Sequence, residues 1–400
     1  MDRGAQQALI ELNNGRKTDL IIGGPGYSVV TEVILAEYKA RPIRHRKTTR
    51  AGWTPNWMVQ RGDYFYIVDE TNPMLSCFKF DHQADEFELK AMASCSSGVV
   101  HIAINEEETR LVGSAYGEGT IDIWDIGNDP GQLKLLKTIN LHDYQRILKE
   151  KQPAAHPHQA VLDPTGRYFV VNDLGSNSIF VLDSKDDKFA VTDHISVLPP
   201  GRGPRHGAFY PSEKKAFLEF QKLFYLVVCE LSNNLIIYDV AYSIDGLQFT
   251  LNKIISTYGP DLPPKNLATA AAGALLLIPR GSAWSGVADV YISNRASGYP
   301  TDHVVHFVFN GNNRGSVEFW GSTNTGGTRP RAIAASISGS CIFVANQEGE
   351  TGLAAIRRDR ETGVLNPILI MEVERAIFGD PEEKDSGPQF VMEFVKEGCK

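Results

Sequence analysis

The sequence predicts an all-β fold, a seven-bladed β-propeller with four-stranded antiparallel blades. Two observations predict it. A unit of short apolar runs and polar turns recurs along the chain at roughly the 40 to 50 residues typical of propeller blades. The 400 residues also include 36 glycines, 21 prolines and 10% aromatic residues, a composition that favours many short strands joined by tight turns over long helices.

The clearest copy of the unit is PHQAVLDPTGRYFVVNDLGSNSIFVLD, residues 157–183. It contains an apolar run, a Pro-x-Gly turn, a hydrophobic strand, a small polar turn and an alternating strand. Further copies begin at Trp53, Val99, Gly203, Val287 and Arg329. Their turns are rich in Gly, Asn, Ser and Asp, which tolerate the dihedral angles of tight hairpins.

The two ends of the chain complete the ring in this interpretation. The opening segment, residues 19–38, supplies the seventh unit, and the apolar run at residues 389–395 is left over. Because closure removes exposed sheet edges, we expect both termini to share one blade. The predicted domain spans residues 18–396 and follows a polar N-terminal extension, residues 1–17.

Two segments interrupt the repeat, and two others stand out by their charge. We expect residues 212–222 and 259–286 to form loops at a rim, with short helical turns, and the acidic residues 379–387 to form a surface linker. The basic stretch at residues 41–50 is short and flanked by neutral sequence, so it is interpreted as a solvated loop without a function.

Composition excludes several classes of partner. The formal net charge of −8 argues against a broad nucleic-acid-binding face. The sequence shows neither an 18-residue apolar span nor an apolar region near its start, so we expect no membrane association and a cytoplasmic location, unless a leader has been removed. The five cysteines are widely spaced, and Cys77, Cys229 and Cys341 are expected to be buried as small hydrophobic residues.

Candidate site residues recur at equivalent places in the repeat, where the inner strands of several blades converge on the channel. His101, His158 and His206 precede apolar inner strands, as do Arg205 and Arg331. A second set follows the next strand of each unit: Asp69, Tyr116, Asp173, Glu230, Arg295 and Gln347.

Together these residue types offer an acid or base beside cationic clamps for a carboxylate or an oxyanion. The alternative interpretation is that they connect neighbouring blades by hydrogen bonds.

Several segments resemble the seven-bladed lactonase family, which groups 6-phosphogluconolactonase-like proteins with carboxy-cis,cis-muconate cyclase. They are PHQAVLDPTGRYFVVNDLG, GPRHGAFYP, CELSNN, YISNRAS and RPRAIAASISGSCIFVANQEG, and the resemblance spans roughly residues 95–370. It implies His158, Arg205, Glu230 and Arg295 as the catalytic set. It also implies cofactor-free opening or closure of a lactone, in which arginines hold a carboxylate while an acid or base moves a proton.

Around this set, six residues are predicted to bind substrate: His101, Tyr116, Asp173, His206, Asn294 and Gln347. The two insertions depart from the compact muconate cyclase pattern and are expected to reshape the channel mouth. Possible apolar lining residues are Tyr116, Phe220, Trp284 and Tyr299. Relatives with a central calcium exist, but the arginines among Asp173, Glu230, Asn294 and Asn346 argue against a bound cation; we expect neither metal nor cofactor.

Three functions stay open at this point, as does the oligomeric state. The first is a lactonase or lactonising cyclase acting on a small carboxylated substrate. The second is a natural-product cyclase, such as a hetero-Diels–Alderase of fungal secondary metabolism, with a drier, more aromatic pocket. The third is a non-catalytic interaction propeller, although only Trp124–Asp125 resembles the signature of that class. Pocket polarity separates the first two.

Overall fold

The strands of the chain form seven four-stranded antiparallel sheets in the part of the sequence that the structure describes. The structure is a computed structural model, and it describes residues 16–25, 27–35, 40–48, 54–84, 86–144, 152–244, 246–281, 285–380 and 382–394. Each sheet is one blade of a propeller, as the repeat predicts.

The blades follow chain order, and in blades 2 to 7 the first strand is the innermost. Blade 1 combines β28 (Phe390–Phe394) with β1 (Arg16–Gly24), β2 (Tyr27–Leu35) and β3 (Ala40–Thr48). Blade 2 contains β4 (Pro55–Arg61), β5 (Tyr64–Asp69), β6 (Asn72–Asp81) and β7 (Glu86–Ser94). Blade 3 contains β8 (Val99–Ile104), β9 (Arg110–Ala115), β10 (Thr120–Asp125) and β11 (Lys134–Asn140). Blade 4 contains β12 (Pro157–Leu162), β13 (Tyr168–Asp173), β14 (Ser178–Asp183) and β15 (Ala190–Ser196).

The remaining three blades have the same order of strands. Blade 5 contains β16 (Pro204–Tyr210), β17 (Leu223–Cys229), β18 (Asn234–Ser243) and β19 (Gly246–Ser256). Blade 6 contains β20 (Ala271–Pro279), β21 (Val287–Arg295), β22 (His303–Asn310) and β23 (Ser316–Asn324). Blade 7 contains β24 (Thr328–Ala335), β25 (Cys341–Glu348), β26 (Thr351–Arg358) and β27 (Leu365–Glu374). The helical turns are α1 (Lys214–Phe220) and short 3-10 turns at His142–Tyr144, Lys185–Asp187, Gly311–Asn313 and Arg375–Ile377.

Both termini contribute to blade 1, as the leftover apolar run predicts. β28 pairs with β1 in a register that runs from Asp19 opposite Phe394 to Gly23 opposite Phe390. β28 also contacts the inner strands β24 and β4 on its two sides. The inner strands therefore contact one another in a continuous ring around the channel, and their short inner edges face that channel and not a flat open surface.

The core lies between blades because each blade is covered on both faces. β17 is buried along its whole length, and its side chains divide between two core clusters, with Leu226 packed toward blade 6 and Val227 toward blade 4. A strand covered on both faces has an unbroken apolar sequence, which explains why the second strand of each unit is so easily recognised. The predicted buried cysteines, Cys77, Cys229 and Cys341, are free and buried in such strands.

Two segments differ from their predicted form, and a third has the predicted form but lies away from the site. Residues 40–48, expected to be part of a solvated loop, form the outer strand β3. The alanine-rich part of residues 259–286, also expected to be loop, begins β20, because it continues into an apolar run at residues 275–278 that packs against the core clusters on both faces of the blade. The insertion at residues 212–222 carries α1, but it connects the end of β16 to the start of β17 and lies at the channel end opposite the predicted site.

A repeated irregularity positions the site. In blades 2, 3, 4, 5 and 7, the pairing of the inner strand with its neighbour skips one residue near the start of the strand. The skipped residues are Asn56, Val100, His158, Arg205 and Arg331. In blade 6 the register shifts across Gly273 and Ala274. A bulge changes the direction of its side chain, so each of these five blades provides one redirected residue at the same channel mouth.

Candidate active site

Three of the bulge positions carry cationic or imidazole side chains. His158 belongs to blade 4, Arg205 to blade 5 and Arg331 to blade 7. The bulge of blade 6 carries a glycine, Gly273, whose carbonyl accepts a hydrogen bond of 2.9 Å from Arg205 Nη1. A Cβ atom at Gly273 would lie 2.5 Å from Ser293 Oγ. It would also lie 3.2 Å from Arg295 Cδ, so glycine at this position leaves room for the side chains of Ser293 and Arg295.

A second ring of residues follows the strand that pairs with each inner strand. In blade 5, Pro204 pairs with Cys229, so the next residue, Glu230, faces the mouth beside the bulge residue Arg205. The same register gives the equivalent residue in the other blades with a bulge: Glu70, Tyr116, Leu174, Arg295 and Gln347.

Asp69 and Asp173 are one residue away from this ring. Asp173 pairs with Pro157, as Cys229 pairs with Pro204, and a shift of one residue along a strand turns the side chain to the other face. The side chain of Asp173, which was predicted to bind substrate, is therefore turned away from the mouth. Its side chain is fully buried, and its Oδ1 accepts hydrogen bonds from the backbone N–H groups of His156 and Ser176.

Glu230 is held between two arginines. Its Oε2 lies 2.8 Å from Arg205 Nε and 2.6 Å from Arg295 Nη2. Arg205 Nε is poorly aligned for a hydrogen bond, so that contact is mainly electrostatic. The side chain of Arg205 is 2% exposed, that of Arg295 is 11% exposed and that of Glu230 is 22% exposed. The structure thus brings together three of the four residues of the predicted catalytic set, and the carboxylate and Arg295 face the mouth.

The ionisation states follow from these contacts. Burial alone would raise the pKa of Glu230, but the positive charges of Arg295 and Arg205 outweigh burial and hold the pKa below its usual range. Burial, together with the charge of Arg295, lowers the pKa of Arg205 to about 9. At neutral pH Glu230 is therefore a carboxylate and Arg205 a guanidinium.

His158 lies close to this cluster. Burial and then the charge of Arg205 hold the pKa of His158 well below its usual value, so the ring is neutral at neutral pH. Its Nδ1 is buried without a hydrogen-bond partner among the described residues, as is Nε of Arg295. Tyr116 packs edge-on against His158 at 5.8 Å between ring centroids and stacks on His156 at 4.4 Å. One imidazole nitrogen and one guanidinium nitrogen at this site thus have no hydrogen-bond partner among the described residues.

His101 and His206 lie one position further along their strands than the bulge residues and line the channel below the mouth. Trp57 occupies the same position in blade 2 and packs 4.2 Å from the His101 ring and 5.7 Å from the His206 ring. Burial lowers the pKa of His101 to about 3 and holds that of His206 well below its usual value. The two histidines predicted to bind substrate therefore belong to a layer of neutral rings beneath Arg205.

This layer lies between two different cavities. Near Glu230 and Arg295 is a cavity of about 260 Å³, walled by backbone and small side chains of residues 267–271 and by Arg329. Below the rings, a larger cavity of about 820 Å³ is lined mainly by apolar side chains of the inner strands. Charged groups border the first cavity, whereas the second is an apolar channel.

The segment before β20 forms the wall of the smaller cavity, as expected for an insertion that reshapes the mouth. Leu267 is 76% exposed at its tip. Tyr299 packs against the base of the same segment, where its hydroxyl donates to the Pro263 carbonyl and Lys265 Nζ lies 4.3 Å from its ring centroid.

The other predicted lining residues lie elsewhere. Phe220 packs against Tyr210 near the opposite channel end, so the expectation that it lines the site is wrong, since it belongs to the insertion after β16. Trp284 lies outside the described residues.

Two further predicted ligands have structural contacts. Asn294 is buried and donates to the Thr257 carbonyl at 2.9 Å, which connects blades 5 and 6. Gln347 is buried at the end of β25, and its backbone carbonyl accepts from Gly387 N–H at 3.0 Å. The side-chain contact of Asn294 supports the alternative interpretation, in which polar residues connect neighbouring blades, whereas the contact of Gln347 is made by its backbone.

The sequence interpretation missed Glu70, Trp57 and Gly273. Glu70 directly follows Asp69, the residue that the sequence suggested. Only the register of β4 with β5 shows that the residue equivalent to Glu230 is Glu70. Among the described residues no group of three or more His, Cys, Asp or Glu side chains is placed to hold a metal ion. No helix in the described ranges has the length and hydropathy needed to span a membrane.

The fold and the mouth define a class: a closed propeller whose channel entrance concentrates arginine and glutamate side chains. The family model of the Lactonase, 7-bladed beta-propeller family matches residues 26–376. The chain belongs to this family, as the sequence motifs predict.

Curated relatives and solved structures agree with this assignment. A probable 6-phosphogluconolactonase of Arthroderma benhamiae is 28% identical over 338 residues, 81% of this chain and 79% of the relative. The periplasmic gluconolactonase of Pseudomonas aeruginosa superposes with a TM-score of 0.74 at 18% identity and covers 95% of this chain and 99% of its own. A putative 6-phosphogluconolactonase of Bacteroides fragilis superposes with a TM-score of 0.72 at 20% identity, covering 95% and 98%. At these identities the two structures show the shared fold.

Proposed function

We propose that the protein hydrolyses the ring ester of a small anionic lactone at the mouth formed by Arg205, Glu230 and Arg295. The observation that carries this proposal is the position of Glu230, ionised between two guanidiniums and partly exposed to a cavity. Two arginines and one glutamate leave an excess positive charge, which attracts a carboxylate or phosphate and stabilises the oxyanion that forms during attack on a lactone carbonyl.

Each group has a role in a balanced step. Water adds to the lactone carbonyl carbon while Glu230 accepts a proton from it, and Arg295 stabilises the resulting oxyanion. The bond between that carbon and the ring oxygen then breaks, and the proton passes from Glu230 to the departing alkoxide. The product is the open hydroxy acid. Because the reverse step uses the same groups, the site is equally suited to lactonisation when equilibrium favours the ring.

Negative charge on the reacting substrate raises the pKa of Glu230. Glu230 in the free site is a weak base, because two arginines hold its pKa below the usual range. The oxyanion that forms beside Arg295 offsets part of that charge and raises the proton affinity of Glu230. The base thus becomes stronger as the tetrahedral intermediate forms, while the excess positive charge of the mouth favours anionic lactones over neutral ones.

The polarity of the mouth supports lactone chemistry over the natural-product cyclase. A cyclase of the second kind needs an aromatic pocket around a polarising arginine. The cavity at Glu230 is bordered instead by charged side chains and a short alanine-rich segment. The larger apolar cavity lies beyond the ring layer of Trp57 and His101.

Initial-rate assays with sugar lactones, phosphorylated sugar lactones and carboxylated muconolactones test the proposal. We expect wild-type hydrolysis of at least one anionic lactone and a loss of about 10² to 10⁴-fold in kcat for Glu230→Gln, the usual contribution of a general base. Glu88→Gln, which changes an exposed glutamate paired with Lys90 on an outer strand, is the matched control. Wild-type inactivity on all these lactones, or full activity of folded Glu230→Gln, would contradict the proposal.

A further inference from the structure

A second ion pair lies at the same mouth and has no part in the step described above. Arg331 Nη2 lies 2.5 Å from Glu70 Oε2. The side chain of Arg331 is 15% exposed, whereas that of Glu70 is 39% exposed. One partner is thus anchored in the protein, and the other extends into solvent from the turn after β5.

The register makes this pair the counterpart of Arg205 and Glu230. Arg331 is the bulge residue of blade 7, as Arg205 is of blade 5. Glu70 follows the strand end of blade 2, as Glu230 follows that of blade 5. The second pair, however, joins two blades that are separated by blade 1. β28 of blade 1 pairs with β1 without a bulge, so blade 1 places no redirected side chain between the two residues. Arg331 and Glu70 therefore meet across the inner end of blade 1.

The two pairs face each other across the channel. In a ring of seven blades, blade 2 is three steps from blade 5 in one direction and three steps from blade 6 in the other. The charges of both pairs affect the pKa values of side chains that lie between them. Burial and, after it, the charges of Arg205 and Arg331 lower the pKa of His158. Burial and, after it, the charges of Glu230 and Glu70 raise the pKa of Tyr116.

We propose that Arg331 forms a second oxyanion subsite and that Glu70 is an internal placeholder, which the distal carboxylate or phosphate of the substrate displaces. This inference rests on the proposed function, since it assigns the far end of the same substrate. The pair supplies one carboxylate oxygen to the guanidinium, which can form two parallel hydrogen bonds with an oxyanion. Among the described residues Glu70 accepts no hydrogen bond besides that from Arg331, and its exposure lets it turn into solvent at small cost.

The subsite gives the mouth a preferred substrate shape. Arg295 and Arg331 bind anionic groups at opposite sides of the entrance, and Tyr116 and His158 lie against the part of the molecule between them. A lactone with one anionic group remote from its ring ester uses both arginines. The oxyanion that forms at the ester lies beside Arg295, and the remote anionic group binds Arg331. A neutral lactone does not displace Glu70 from Arg331, so it gains no binding free energy from this subsite.

Calorimetric titration of the full chain with inorganic phosphate and, separately, malonate tests the subsite without turnover. Relative to the surface control Arg167→Gln, we expect Glu70→Gln to tighten anion binding at least about threefold and Arg331→Gln to weaken it about tenfold. The double variant Glu70→Gln/Arg331→Gln, which leaves no unpaired charge, should bind as weakly as Arg331→Gln. Stronger effects with phosphate or with malonate identify the preferred oxyanion.

Unchanged anion affinity in both Glu70→Gln and Arg331→Gln would overturn the proposal. So would a loss of anion binding in Arg295→Gln with no change in Arg331→Gln. Kinetics provide a second readout: Arg331→Gln should lower kcat/KM for a phosphorylated or carboxylated lactone about tenfold more than for its neutral analogue. If the wild type opens no lactone, the proposed function fails, and the titrations still decide the subsite.

Discussion

Arg205 Nε lies 2.8 Å from Glu230 Oε2, and Arg205 Nη1 donates to the Gly273 carbonyl at 2.9 Å. The guanidinium therefore fixes the carboxylate to the neighbouring blade. A planar group with several donors can do this, whereas an ammonium group offers a single point charge.

Arg205→Lys should lose this geometry while keeping the charge. We expect kcat/KM for an anionic lactone to fall about a hundredfold, because one misplaced group at a reacting centre has effects of that order. Initial rates measure it, and thermal unfolding checks that the variant folds. Arg167→Lys, at a surface pair with Asp183, provides the control. Rates within about twofold of that control would show that Arg205 does not position Glu230.

The pH dependence of activity follows from the shifted pKa values. Glu230 has a pKa below its usual range, and the pKa of His158 lies well below 6.5. Neither group changes its charge between pH 6 and pH 8 under these shifts. We expect kcat/KM to be flat within about twofold across that interval, measured under initial-rate conditions. A titration with a midpoint near 6.5 would instead indicate a histidine that gains a proton during catalysis.

Stability should fall as the pH is lowered below 6.5. The pKa of His101 is lowered to about 3 in the folded protein, so between pH 6.5 and pH 3 the unfolded chain binds a proton that the folded one does not. At pH 5 this difference amounts to about 2 kcal/mol. Denaturant unfolding at pH 7 and pH 5 should therefore show a loss smaller by about 2 kcal/mol in His101→Gln than in the wild type.

The exposed residue His142 supplies the control for that experiment. We expect His142→Gln to lose as much stability as the wild type between the two pH values. The ionisation of Glu230 does not affect this comparison. Because its pKa is lowered in the folded protein, its contribution to stability is lost only as the pH falls below the usual range of a glutamate. Equal losses in His101→Gln and the wild type would contradict the neutral buried ring.

Ring closure by β28 should contribute strongly to stability. Val391 is 2% exposed and packs in the cluster that joins blades 1 and 7. Burial of an unpaired carboxylate is costly, so we expect Val391→Asp to lower the free energy of unfolding by about 3 kcal/mol or more. The exposed valine Val364 gives the matched control, Val364→Asp. A difference below about 0.5 kcal/mol between the two variants would show that β28 is not required to close the ring.

The sequence predicted most of the candidate site from repetition and from a family resemblance. Recurrence at similar places in the repeat indicated a shared mouth, and the resemblance selected His158, Arg205, Glu230 and Arg295 within it. The same reasoning failed by one residue at Asp173, because the sequence does not show which residue of a strand end faces the channel. That choice depends on the bulge in the pairing of β12 with β13.

The sequence by itself determined the propeller, the shared terminal blade and the residue types at the mouth, because alternating apolar strands and turn residues leave few other ways to bury the chain. Only the tertiary structure decided which polar residues meet. Arg331 and Glu70 are 261 positions apart and come together through ring closure and a repeated bulge. Such contacts depend on register and curvature, which are set by the packing of all the blades and by no local pattern.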